Sequence, residues 1–253
     1  MKTESLPRPV LELAEKYFEL PLGGKTIKCP YFMNIKKQKA GLRVMVGKGS
    51  WEEIVHEVKV WAQLKGFDLE AGNEDQIRAF MMKLGIGIDC SGYATYILNE
   101  WMKSLHKPSL WRQLKYRDNG LYHRFRRWLR PVENVGANLL TSELNCLKVK
   151  NLDDIEPGDL IRAKGKQKNA HHVAVITKVT KSDDGKIESF DYVHSHRFYK
   201  DQNGVRKGKV EITDPKKSLK DQKWEDDYKG KNYILEDLLV DYEDNGIRRL
   251  KFV

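Results

Sequence analysis

The sequence predicts an α+β fold, helices first and an antiparallel sheet after them, on two observations. Through the first hundred residues apolar side chains recur at helical spacing, and helix-capping residues precede the runs. From Pro157-Gly158-Asp159 onward, apolar and polar residues alternate in short runs divided by Asp184-Gly185 and Asn203-Gly204, pairs that favour hairpins. Helices and strands segregated in this way belong to the α+β class rather than to alternating βαβ units.

After Pro7 and Pro9, Val10, Leu13, Ala14, Tyr17 and Phe18 keep helical spacing, and the helix is expected to end near Gly23-Gly24. Ser50-Trp51-Glu52-Glu53 has the form of a capping box, with Ile54, Val58 and Trp61 on the face that follows. A third helix is expected from Asn73, with Ile77, Phe80, Met81 and Leu84 inward and Gly85 as its stop. A short loop, Gly85 to Gly92, then opens into a helix running through Tyr93 and Leu98 towards Met102. Strands are expected at Leu160–Ala163, Val173–Val179, Ile187–Val193, Val210–Thr213 and Ile247–Val253. The expected division is a mostly helical region over 1–84 and a second unit over 85–253, interrupted by a mostly helical insertion at 104–150.

At 253 residues, 40% apolar and 32% charged, the chain has the composition of a soluble globular protein with one ample core. No window approaches the roughly eighteen apolar residues of a spanning helix, so no membrane span is expected. The amino terminus carries acidic residues where a signal peptide would be apolar, which makes cytoplasmic residence the expectation. Cys29, Cys90 and Cys146 are odd in number and widely spaced, hence expected as free thiols, two of them ordinary buried side chains. The formal charge of +10 favours anionic partners: nucleic acid, acidic cell-wall polymers or a membrane surface. The densest patch runs from Tyr122 to Arg130, where Arg124, Arg126, Arg127 and Arg130 interleave with aromatics. Such a stretch suits an anionic polymer, but the plainer expectation is a helix with one basic face and its aromatics packed inward.

Cys90 draws attention because a helix beginning at Ser91 or Gly92 would set its thiol at a helix N-terminus, where the macrodipole favours a thiolate. Histidines enter and close a hairpin further on. Asp184-Gly185 lies close to midway between His172 and His194, so folding about it brings them within two or three residues of register. A thiol, a base and a group that orients the base are the parts of nucleophilic catalysis. By alternation His172 shares a face with Ala174, and His171 one with Val173 and Val175; the small alanine is expected to leave room for the helix that carries the thiol. His172 is therefore the expected base, with His194 or His196 as the orienting residue.

Asp89-Cys90-Ser91-Gly92-Tyr93, Pro157-Gly158-Asp159-Leu160, His172-Val173-Ala174-Val175 and Tyr192-Val193-His194 resemble, in that order, the motifs of the NlpC/P60 cysteine peptidases. The resemblance covers roughly residues 85 to 195. It implies a papain-like core, with Cys90 as nucleophile, His172 as base and His194 as orienting residue. It also implies that Asp89 and Ser91 receive the substrate's free amine end, that peptidoglycan stem peptides next to γ-D-glutamyl linkages are the substrate, and that no metal or cofactor is required. The chain departs from the family in the roughly fifty residues between the nucleophile helix and Pro157, and in a longer hairpin between His172 and His194. Three other readings stay open. His171, His172, His194 and His196 could form a metal hydrolase, although no carboxylate sits at zinc spacing. The basic segment could make the chain a non-catalytic binder of nucleic acid or another anionic polymer. A related amidase or acyltransferase would share the fold.

Overall fold

The computed structural model describes residues 1–34, 42–165, 171–226, 228–240 and 243–253. The chain is α+β, with a mostly antiparallel sheet of eight strands. It opens with β1 (Lys2–Ser5) and α1 (Arg8–Lys16), then a small hairpin of β2 (Leu20–Leu22) and β3 (Lys25–Ile27), then α2 (Trp51–Lys65), α3 (Glu74–Leu84) and α4 (Cys90–Ser104). Short helices α5 (Leu110–Gln113), α6 (Leu121–Leu129) and α7 (Ala137–Leu140) follow. The rest is mainly strand: β4 (Cys146–Lys148), β5 (Leu160–Lys164), β6 (His171–Lys181), β7 (Ile187–His196), β8 (Gly204–Glu211), β9 (Lys223–Trp224) and β10 (Gly246–Leu250), with α8 (Tyr233–Leu239) before the last.

Local chemistry sets the helix ends. Ser50 and Glu53 form the expected capping box on α2, and Asn73 with Gln76 forms another on α3. Both helices stop at a left-handed glycine, Gly66 and Gly85. The first helix ends at Lys16, well before Gly23-Gly24. Both of those glycines have positive φ, and they form the two-residue turn between β2 and β3, a conformation that ordinary side chains resist. The 104–150 segment is also not helical throughout, since its end, β4, pairs with β10 at the sheet edge.

The strands run in the order β4-β10-β5-β6-β7-β8-β9. β6 is the hub: β5 pairs with its beginning, β1 with its end on the same side, and β7 along the other side. Each face of the sheet has its own core. Val173, Val175, Val193 and Val205 pack with Tyr93, Ile97 and Leu98 of α4, and with α1, α2 and α3 beyond it. Ala174, Ile176, Phe190 and Tyr192 pack on the opposite face with Ile234 and Leu238 of α8. Burying each such aliphatic side chain stabilises the fold by about 1.5–3 kcal/mol, so α4 is held firmly against the strands.

Pro157-Gly158-Asp159 locks the start of β5 onto that frame. The Gly158 amide donates to the Ile176 carbonyl and the Ile176 amide to the Asp159 carbonyl, each at 2.8 Å. Gly158 has φ +95°, and a side chain there would meet the Trp101 ring of α4 at 2.1 Å. The Asp159 carboxylate, buried, takes two 2.8 Å bonds from Arg249 on β10. Helix α6 departs from expectation: none of its residues is buried, and its aromatics face outward. Among the described residues, no helix is long and apolar enough to cross a membrane.

Candidate active site

The nucleophile candidate stands at the first position of α4, one or two residues earlier than its spacing suggested. Asp89 is the N-cap, its Oδ1 accepting the Gly92 amide at 2.6 Å. The loop ahead of it is fixed by the Ile88 amide on the Pro30 carbonyl and the Asp89 amide on the Gly47 carbonyl, both at 3.0 Å. Gly92 is required by that closeness, because a side chain there would lie 2.6 Å from the Gly47 oxygen.

Cys90 reaches the sheet where β6 and β7 separate. Their pairing runs up to Val175 opposite Val193 and no further, leaving residues 171–174 and 194–196 unpaired with each other. The start of α4 fills the gap. The Cys90 thiol meets the His171 carbonyl at 3.9 Å and lies against the Val173 amide, so it straddles the backbone of His172. On the other bank, the buried Ser195 hydroxyl donates to the Ile88 carbonyl at 2.7 Å. The steric reason for preferring His172 is corrected by this packing. Val173 and Val175 face α4, whereas Ala174 belongs to the far face, because the thiol enters through the split between strands rather than over a small side chain.

From His172 a line of buried hydrogen bonds leads away. His172 Nε2 and His194 Nδ1 are 3.0 Å apart, and His194 Nε2 lies 2.8 Å from Asp226 Oδ2. Extending the Val175–Val193 register makes these histidines diagonal by two residues, within the range that hairpin folding about Asp184-Gly185 suggested. His194, and not His196, is the histidine bonded to His172. The His196 ring lies 4.6 Å from that of His172, and its Nδ1 accepts the Phe198 amide at 3.2 Å. His171 contributes its carbonyl to the thiol, while its half-buried ring has an Nδ1 without a partner. Asp226 is fully buried and also accepts from the Tyr199 hydroxyl at 3.0 Å and from Arg206 at 2.7 and 2.8 Å.

These bonds set tautomers. Burial pushes the Asp226 carboxyl up, but His194 and Arg206 overcome this and hold it at about 2, so it is ionised and can only accept. The proton between it and His194 therefore sits on Nε2, which leaves His194 Nδ1 as the acceptor for His172 Nε2–H. His172 is then left with an unprotonated Nδ1. Burial, reinforced by His196 and His194, holds the His172 pKa well below the ordinary imidazole value.

The thiol does not follow the expectation of a lowered pKa. Burial, with the Asp89 carboxylate second, pushes Cys90 up to about 12, against the opposing pull of Lys48 and of the Val173 and Ser91 amides. Desolvation outweighs the helix terminus because the side chain is closed off, 7% exposed. Cys29 and Cys146, both buried, stand at about 12 as well. The resting pair is thus neutral thiol and neutral imidazole, rather than an ion pair.

Asp89 and Ser91 are turned inward to meet an ammonium that belongs to the protein. Lys48, 2% exposed, donates to Asp89 Oδ1 at 2.9 Å, Ser91 Oγ at 2.5 Å and the Val135 carbonyl at 2.9 Å. Ser91 in turn donates to Asp89 at 3.0 Å. Their expected part in receiving a substrate amine is taken by this internal cation. Sequence reasoning missed Lys48, Asp226 and Arg206. None of the three left a usable trace: Asn203-Gly204 does not form the two-residue turn its composition suggested, and it is the longer connection over 197–203, with Gly204 paired to His196, that sets Arg206 opposite His194. Among the described residues, no three His, Cys, Asp or Glu side chains converge as a metal site would require. No protein-family model, no curated protein and no solved structure matches this chain, so a reading of the site stands on its own residues and geometry.

Proposed function

We propose that this protein is a cysteine hydrolase with a papain-like core of the NlpC/P60 type, which cleaves an amide bond through Cys90, His172 and His194, with Asp226 anchoring the line. The single observation that carries the reading is the buried hydrogen-bonded series Asp226–His194–His172, ending on the residue whose backbone the Cys90 thiol straddles. A chain of this kind has little structural return, since three ionisable groups are desolvated for it. It has a clear chemical one, because it presents a single imidazole lone pair and stabilises the imidazolium formed when that lone pair takes a proton.

In the proposed reaction His172 Nδ1 takes the thiol proton as Cys90 Sγ attacks the amide carbonyl. The tetrahedral oxyanion is stabilised by the backbone N–H of Cys90 and a neighbouring donor, each contributing about 3–4 kcal/mol. His172 returns the proton to the leaving amine as the C–N bond breaks, giving a thioester and the amine product. Water, deprotonated by His172, then cleaves the thioester, releases the carboxylic acid and restores the thiol. The proposed substrate is a peptide of the peptidoglycan stem type, with no free-amine subsite assigned to Asp89 and Ser91. The metal-hydrolase reading is disfavoured because the facing nitrogens of His172 and His194 are spent on each other.

Digestion of purified peptidoglycan and of free stem peptides by wild type, Cys90→Ala and His172→Ala, read by mass spectrometry, tests the proposal. New fragments are expected from the wild type alone. Identical fragments from wild type and Cys90→Ala would dismiss the thiol as nucleophile, and activity abolished by a chelator would restore the metal reading.

A further inference from the structure

Helix α6, Leu121–Leu129, is amphipathic in the wrong sense for a helix of a closed globule. At about 100° per residue, Leu121, Tyr122, Phe125, Trp128 and Leu129 share an arc of about 120°. All five are between 55% and 84% exposed. The opposite, polar side is the one that holds the helix to the protein. Arg126 donates to Asn134 Oδ1 at 3.0 and 2.6 Å, Arg127 donates to the Asp118 carbonyl at 2.7 Å and lies over the Tyr116 ring, and His123 pairs with Asp118 at 2.9 Å. A helix normally hides its apolar stripe and wets its charges; here five large apolar groups are presented together to solvent.

The charge around the patch indicates what it meets. From Leu105 to Pro131 there are eight Lys or Arg residues against one acidic residue, Asp118, which is most of the chain's formal +10. On the helix, Arg124 borders the arc beside Trp128, while Arg126, next to Tyr122, is bonded to Asn134. Trp, Phe and Leu on one face, with Arg124 at its margin and a basic segment around it, fit the boundary of an anionic bilayer, where rings and leucines enter the acyl region and cationic groups stay among headgroup phosphates. Single-stranded nucleic acid fits less well. Its bases need π-faces to stack on, and two of the five positions are leucines; its phosphates would be tracked by arginines on the aromatic face, but two of the arginines are committed behind it. We propose that α6 is an interfacial helix that docks the protein on anionic lipid, lying on the membrane rather than crossing it.

The test is co-sedimentation of the intact protein with vesicles of phosphatidylcholine alone and with vesicles containing about 30% phosphatidylglycerol. It is run on wild type and on the double variant Phe125→Ser, Trp128→Ser. No α6 side chain is buried, so the variant should melt with the wild type and keep any Cys90-dependent activity on a soluble substrate; pelleting reads the surface independently of what the site cleaves. Expected are pelleting with anionic vesicles and at least a tenfold weaker partition for the variant. Equal pelleting by both proteins, abolished by about 0.5 M salt, would overturn the proposal by showing a purely electrostatic attraction. So would the absence of any pelleting, tight single-stranded DNA binding that the variant loses in its place, or a sedimentation dimer that the variant dissociates.

Discussion

Replacing Asp226 by asparagine probes the buried series where it is anchored. The carboxylate takes bonds from His194, Tyr199 and Arg206, all of them donors, so an amide of the same shape must turn its NH2 towards one of them. If it faces His194, that ring must carry its proton on Nδ1 and donate to His172 Nε2, which puts the proton of His172 on Nδ1 and removes the base. Loss of a general base costs about 10²–10⁴ in rate, so Cys90-dependent turnover should fall by that factor. Stability should fall too. Holding the carboxyl at about 2 rather than its ordinary 3.8 is equivalent to about 2–3 kcal/mol at pH 7, and breaking a buried ion pair costs about 3–5 kcal/mol. For a chain of this size that is a fall in Tm of roughly 5–15 °C. The folded pKa is depressed, so the carboxylate's contribution is present above pH 4 and is lost as pH falls from about 4 towards 2. Calorimetry at pH 7, 5 and 3 should show a constant gap between wild type and variant at the first two and a smaller one at the third. A gap unchanged at pH 3, together with undiminished turnover, would refute an ionised Asp226 at the head of the series.

Further outcomes follow from the same groups. His172 and His196 have depressed pKa values, that of His196 about 3, so their contribution to stability is complete above pH 6.5 and is lost as pH falls; urea unfolding free energies should decline below pH 6.5 by up to about 1.4 kcal/mol per pH unit per histidine, and His196→Gln should remove about half the slope. With its thiol raised to about 12, Cys90 should be carboxymethylated at a rate that climbs about tenfold per pH unit through pH 9, whereas a plateau near neutrality would reveal a thiolate–imidazolium pair. Lys48→Met leaves the Asp89 carboxylate buried and should lower unfolding free energy by about 3–5 kcal/mol, most of it recovered in Lys48→Met, Asp89→Asn, since the amide still caps α4; an equally unstable double variant would assign the loss to packing rather than charge.

What the sequence made legible was chemistry with a short reach along the chain. Ser50 with Glu53, and Asn73 with Gly85, mark α2 and α3 because caps are satisfied within one turn of the backbone. The His172–His194 contact was legible because one turn at Asp184-Gly185 sets a register that can be counted. Asp226 was not legible, since it sits next to acidic neighbours on an irregular stretch after β9 and reaches His194 only because two further strands intervene. The face of His172 was misjudged for a related reason. Alternation says which residues share a side, but not that β6 and β7 part beyond Val175 and admit a helix end between them. For α6 the period was right and the direction was reversed. Hydrophobic spacing identifies an apolar arc, while hydrogen bonds from Arg126 and Arg127 to loop residues decide which way it turns.

The long segment between the nucleophile helix and Pro157, the main departure from the motif spacing, bears on the site itself. It leaves from the far end of α4, about 22 Å from Cys90 at 1.5 Å per residue, and so does not crowd the thiol. It returns through the turn at Val132–Asn134 to place the Val135 carbonyl on Lys48, the third oxygen around that ammonium. Without such an acceptor, a buried lysine beside Asp89 would carry an unpaired N–H in a site closed to water, at a cost of about 1–3 kcal/mol. Lys48 in turn neutralises the carboxylate that caps α4 and raises the thiol. The insertion, the lysine and the cap are therefore one device. Lengthening the chain at 104–150 supplies the carbonyl that lets a charged N-cap stay buried next to the proposed nucleophile, and the amphipathic helix that the same segment carries turns its apolar arc to a different surface.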